Sequence, residues 1–72
     1  MLRPLPYREV RRKLEAAGFV FYSQKGSHVK FIRKDGGNIR TVIVPAHKEI
    51  AVGTLRSILR QAGIAPEDFN EL

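Results

Sequence analysis

Apolar positions fall at helical spacing near each end of this 72-residue chain and alternate with polar ones between. Tyr7, Val10, Leu14 and Ala17 share one face of a helix. Pro6 suits its first position, where a missing N–H costs nothing, and Gly18 supplies a left-handed stop. Arg8, Glu9, Arg11, Arg12, Lys13 and Glu15 fill the rest of its circumference, a pattern more common for a solvated face than for a nucleic-acid contact. Leu55, Ile58, Leu59 and Ala62 repeat the helical period up to Gly63. Gly53, a poor helix former in that helix's first turn, marks either a close backbone approach or a tolerated defect. Between the helices, Phe19 to Gln24 and His28 to Arg33 are rich in residues that fit a pleated sheet, with Lys25-Gly26-Ser27 as the bend. Asp35-Gly36-Gly37-Asn38 is a second turn, and Ile39 to Val44 is a third strand ended by Pro45. Leu2 to Pro6 is a lead-in and Ala46 to Ile50 a polar loop. Pro66-Glu67-Asp68 can open a short final turn that brings Phe69 and Leu72 back to pack.

The order helix, three strands, helix predicts an α+β fold: a two-layer α-β-β-β-α sandwich with an antiparallel three-stranded meander. Both helices cover one sheet face and leave the other free. Double-stranded-RNA-binding domains share this order. In the second strand Val29 and Phe31 lie on one side, with His28, Lys30 and Ile32 on the other.

Composition narrows the picture. Seventy-two residues make one small domain near the lower limit for a self-sufficient core. With no cysteine, neither disulfides nor thiolate zinc can staple it. No apolar run approaches the roughly 18 residues of a membrane span, and the N-terminal stretch lacks the apolar core of a signal peptide. A soluble cytoplasmic protein is the expectation. The net charge of +6 is unevenly spread: residues 1–34 hold nine Lys/Arg against Glu9 and Glu15, while residues 35–72 hold four against five acids. Such asymmetry points to a polyanionic partner, nucleic acid above all, with a merely solubilising surface as the plain alternative. A membrane surface fits less well, because the cations are not confined to one amphipathic helix.

The stretch from Lys25 to Phe31 concentrates the candidate chemistry: an imidazole, two ammonium groups and a small-residue turn. RNA carries its own nucleophile. Scission therefore needs chiefly a base for the 2′-hydroxyl proton, charge stabilisation at the phosphorane and a proton for the leaving oxygen. His28 can be that base, and Lys25 or Lys30 can hold the phosphate. On pattern alone, a strand histidine beside a turn is more often an ordinary half-exposed residue. His47 has three readings: a second acid or base, a ring N–H aimed at a backbone carbonyl, or simply a loop residue, which is favoured. The two histidines do not have metal-site spacing, no carboxylate pair accompanies them, and no Ser-His-Asp arrangement or glycine-rich nucleotide loop is readable. No metal or cofactor is expected. Ser27 more plausibly shapes the turn. Phe21, Tyr22 and Phe31 read as core, Tyr22 being the best candidate to stack on a base.

Three segments together resemble the HicA (YcfA-like) toxins: Lys25-Gly26-Ser27-His28, Val42-Ile43-Val44-Pro45 followed by His47, and Gly53-Thr54-Leu55-Arg56-Ser57-Ile58-Leu59-Arg60-Gln61-Ala62-Gly63-Ile64. The resemblance spans about Tyr7 to Ile64, and its last segment is the most specific. It implies a double-stranded-RNA-binding-like fold, ribosome-independent cleavage of mRNA, and neutralisation by a HicB antitoxin. It also implies that His28, the histidine of Gly-Ser-His, is catalytic. Many relatives carry a polar residue or a second histidine next, where this chain has Val29, a departure that changes local access and leaves the catalytic group in place. The residues expected to contact RNA, in or near the matching segments, are Lys25, Gly26, Ser27, Lys30, Thr54 and Arg56. Alternatives of other classes are a non-catalytic double-stranded-RNA-binding module and a small basic protein that chiefly binds another protein.

Overall fold

In the computed structural model, which describes residues 1–72, the elements are α1 (Tyr7–Ala16), β1 (Val20–Lys25), β2 (His28–Asp35), β3 (Asn38–Pro45), α2 (Val52–Ala62) and α3 (Pro66–Asn70). The strands form one antiparallel sheet in the order β1-β2-β3. The α+β sandwich expected from the alternation is the observed architecture. Pro6 sits one residue ahead of α1 in an extended conformation, where its carbonyl accepts the N–H of Val10 at 3.2 Å. No helix is long and apolar enough to cross a membrane.

The core is one cluster on the inner face of the sheet. Val29, Phe31, Val42 and Val44 project from β2 and β3 onto Val10 and Leu14 of α1, Leu55, Ile58, Leu59 and Ala62 of α2, and Phe69 of α3. The lead-in is more than a lead: Leu2 is buried, and Leu5 pairs with Ile50 through backbone bonds of 2.7 and 3.1 Å. That bridge pins the loop before α2. Lys13, expected on the solvated side of α1, is instead buried. Its Nζ donates to the main-chain oxygens of Phe69 and Leu72, each at 3.1 Å, and lies 5.2 Å from the Phe69 ring centre. A long apolar stem with a satisfied ammonium head can fill such a position, and here it fastens α3 to α1.

The β1–β2 hairpin differs from expectation in an instructive way. Phe21 pairs with Phe31, but Ser23 pairs with Lys30, so the ladder carries a bulge at Tyr22. The extra residue lets Phe21 share the helix side with Phe31 while Lys25 reaches the open side opposite His28. It also shortens the bend from the expected three residues to two, Gly26-Ser27, with Lys25 ending the strand. Gly26 has φ 60° and Ser27 is not in the positive-φ region, which fits a type II′ turn with glycine first; Gly36 at φ 62° opens the β2–β3 turn in the same way.

At the far end of β2, Asp35 joins two arginines. Arg33 Nε and Nη2 donate to its two oxygens at 2.8 and 3.1 Å, and Arg40 Nε donates at 3.1 Å. Each guanidinium then reaches a helix end: Arg33 Nη1 donates to the Ala17 carbonyl at 3.0 Å, and Arg40 Nη1 to the Gln61 carbonyl at 3.1 Å. Cations at helix C-termini complement the macrodipole and satisfy carbonyls without an intrahelical partner. Gly63, with φ 69°, makes room for this, since a Cβ there would lie 2.8 Å from the Arg40 guanidinium. Hydrogen bonds from Arg33 and Arg40 hold the Asp35 carboxyl below its ordinary range. A carboxyl lowered in the folded state adds stability above its unfolded pKa and loses it as pH falls through the folded value. Asp35→Asn should therefore lower Tm at neutral pH and flatten the loss of Tm below about pH 4, near the ordinary aspartate value. Thermal melts from neutral to acid pH check this, and parallel curves for the two proteins would contradict it.

Candidate nucleic-acid interface

The outer face of the sheet has no helix over it. Along β2 it presents His28, Lys30, Ile32 and Lys34. Opposite them stand Lys25, Ser23 and Val20 on β1, and Pro45, Ile43, Thr41 and Ile39 on β3. Near the β1–β2 turn Lys25, His28 and Lys30 stand with Pro45 and Ile43, and at the other end Val20, 57% exposed, Ile32 and Ile39, 61% exposed, stand with Thr41 and Lys34. Tyr22, placed by the bulge, is 62% exposed, and Lys30 Nζ lies 5.9 Å from its ring centre. Phe31 is core as expected. Phe21 is only partly so, 43% exposed and edge-on to Phe31 beneath the Arg11 guanidinium.

His28 is exposed at the mouth of β2. Lys25 and His28 close the two-residue turn, so the backbone N–H and C=O of His28 turn toward β1. Its pairing with Pro45 is then the kind without exchanged hydrogen bonds, with Cα atoms about 4.5 Å apart, and a residue lacking an N–H fits there. The next bond along the ladder runs from the Ala46 N–H to the Ser27 carbonyl at 2.6 Å. The β1–β2 turn and the start of the loop after β3 are thereby tied together.

The lysines of this face make no ion pair, as is also true of Arg3, Arg8, Lys48, Arg56 and Arg60 elsewhere on the surface. The ion pairs are Arg11–Glu15, Arg12–Glu9, Arg33–Asp35 and Arg40–Asp35. On α1, the hydrogen bond from Arg12 holds the Glu9 carboxyl below the usual carboxylate range, and Lys13 is buried. Lys25, Lys30 and Lys34 have no carboxylate partner, which leaves the open sheet face with cations free to meet phosphate. No group of three or more His, Cys, Asp or Glu side chains is gathered where it could hold a metal ion.

The expected contact residues do not all share this face. Lys25, Gly26, Ser27, His28 and Lys30 are brought together at the turn. Thr54, half-buried, and Arg56, exposed, belong to α2, which lies along β3 with the Gln61 side-chain oxygen accepting the Ile43 N–H at 2.8 Å. They belong to the helical layer and not to the open face, so their contact with RNA would be made from α2. No atom lies within 4 Å of a Cβ built at Gly53, so within this chain that glycine answers no close approach. Lys34, Ile39 and Ile43 complete the open face and were missed as functional candidates, although the period-two alternation marks each of them.

A protein-family model described as the HicA toxin of bacterial toxin-antitoxin systems matches residues 7–64. No match was found among curated proteins. The matched span runs from the first residue of α1 through the residue after Gly63, and so includes the sheet with its open face.

Binding of an uncleavable 2′-O-methyl RNA should weaken steeply with salt. Each phosphate contact contributes about 0.7 to the log–log slope on single strands. Lys25→Ala and Lys30→Ala should each reduce the slope by about that amount without changing sequence preference. Fluorescence anisotropy across a salt series checks this, and unchanged slopes would exclude these lysines as phosphate contacts.

Proposed function

The chain belongs to the HicA toxin family of bacterial toxin-antitoxin systems, and from that premise we propose that it is a metal-independent endoribonuclease that cuts mRNA through His28. Membership in the family carries with it an antitoxin partner and an RNA target in general terms. The observation that supports the finer reading is the setting of His28: an exposed imidazole on an uncovered sheet face, paired across β1 with Lys25 and flanked by Lys30, both free of carboxylates.

The chemistry asked of that setting is modest. An RNA strand lies across the β1–β2 turn, with a base against Tyr22 and a phosphate between Lys25 and Lys30. His28 takes the proton of the 2′-hydroxyl adjoining that phosphate, and the 2′-oxygen attacks phosphorus. The lysines balance the charge that grows on the phosphorane oxygens, a stabilisation that counts most where donors are already in place.

The antitoxin in this reading is of the HicB type and closes the same face. Its acidic groups face Lys25, Lys30 and Lys34 and speed encounter. Its apolar groups lie against Val20, Ile32, Ile39 and Ile43 and give lasting affinity. Complex formation should remove His28 from attack by an imidazole-modifying reagent and stop RNA cleavage together. A complex in which His28 stays reactive and cleavage continues would rule out occlusion.

The direct test of the activity is His28→Ala in purified form and on induced expression. Removing an exposed imidazole costs little burial, whereas loss of a general base costs about 10²–10⁴-fold in rate. The variant should melt like the parent, still shift RNA on a gel, and neither cleave RNA nor arrest growth. A folded His28→Ala protein that cleaves normally would refute the assignment. A parent protein that binds RNA without cleaving it would be a binding module instead.

A further inference from the structure

Transesterification of RNA needs two proton transfers, and His28 accounts for one. The chain has two histidines, and the fold brings both to one corner. Pro45 pairs with His28, the Ala46 N–H is held on the Ser27 carbonyl at 2.6 Å, and His47 follows directly. Two residues of chain span at most about 7 Å. With about 4.5 Å between the Cα atoms of a pair without exchanged bonds, the His47 Cα lies within about 12 Å of that of His28. Two imidazoles reaching from backbone positions so spaced can stand on either side of one phosphodiester.

His47 lies in the loop, as favoured, and the reading of a ring N–H aimed at a backbone carbonyl is not met. It is exposed, and neither a backbone carbonyl nor a carboxylate accepts from its ring. The loop around it is ordered by other groups: the Ala46 N–H at one end and the Leu5–Ile50 bridge at the other. An unpartnered imidazole on a fixed loop, beside the turn that carries the proposed base, is placed for work outside the protein.

We propose that His47 is the general acid of the reaction, a reading that rests on the ribonuclease activity proposed above. His28 removes the 2′-hydroxyl proton as the 2′-oxygen bonds to phosphorus. The bond from phosphorus to the 5′-oxygen breaks, and the His47 imidazolium gives its proton to that oxygen. The products are a 2′,3′-cyclic phosphate and a free 5′-hydroxyl. Each imidazole then returns to its starting state by exchanging one proton with water, so the cycle balances without a co-reactant.

The experiment uses one RNA in two forms, the second carrying a bridging sulfur in place of the 5′-oxygen at the mapped cleavage position. A thiolate leaves without being protonated, so the sulfur substrate bypasses a general acid but not a general base. His47→Ala should cleave the oxygen substrate about 10²–10⁴-fold more slowly than the parent. It should cleave the sulfur substrate at close to the parental rate. His28→Ala should fail on both. Circular dichroism of each variant confirms the fold. If His47→Ala loses equally on both substrates, or on neither, His47 is not the acid, and the ribonuclease reading stands as long as His28→Ala is inactive. If His28→Ala alone is rescued by sulfur, the two roles are assigned the wrong way round. If His28→Ala cleaves both at the parental rate, the underlying reading itself falls.

Discussion

The pleat of β2 is the constraint on which the rest of the molecule depends. It is the central strand, so its alternation is copied onto both neighbours through their register. Val29 and Phe31, fully buried, commit the inner face to the core, and that commitment alone turns His28, Lys30 and Lys34 outward. A slip of one residue would exchange the two sets, exposing a phenylalanine and burying an imidazole and two ammonium groups without partners, which is costly on every count. Core packing and site assembly are the same choice here. The type II′ turns at Gly26 and Gly36 hold the register from both ends, and the Tyr22 bulge reconciles the inward demand of Phe21 with the outward one of Lys25.

The helices are held to the inner side by the Arg33–Asp35–Arg40 cluster as well as by apolar burial. One carboxylate orients two guanidiniums, and each guanidinium caps the end of a different helix. All three side chains are partly exposed, so the ion pairs by themselves are weak. Their value lies in geometry, because the β2–β3 hairpin, α1 and α2 meet at one point. That point is at the opposite end of β2 from His28. The small domain thus keeps its bracing and its candidate chemistry at separate ends of one strand.

Much of this was legible in the sequence because it depends on local periodicity. The helices followed from Val10 and Leu14 and from Leu55, Ile58, Leu59 and Ala62, and the face assignments of Val29, Phe31 and His28 from a period of two. The parts that were not legible depend on pairing between distant residues. Nothing in the run Val20-Phe21-Tyr22-Ser23 announces a bulge, since the ladder is broken by the demands of both strands at once. Lys13 read as solvated because its partners, the main-chain oxygens of Phe69 and Leu72, lie more than fifty residues away. Leu5 read as a lead-in because Ile50, its partner, stood in a segment otherwise polar. Within the site, the residues around the turn were readable together. The proximity of His47 to them was not, because it requires the β2–β3 register to be known.

The central claim is that RNA meets this protein on the open sheet face around the β1–β2 turn. Amide chemical shifts followed by NMR during titration with a 2′-O-methyl RNA test it most directly. The account predicts saturable shifts at Lys25, Gly26, Ser27, His28, Lys30 and the following loop at Ala46 and His47, with α1 and α3 little changed. Shifts confined to α1 at Arg8, Arg11 and Arg12, with the hairpin silent, would contradict it.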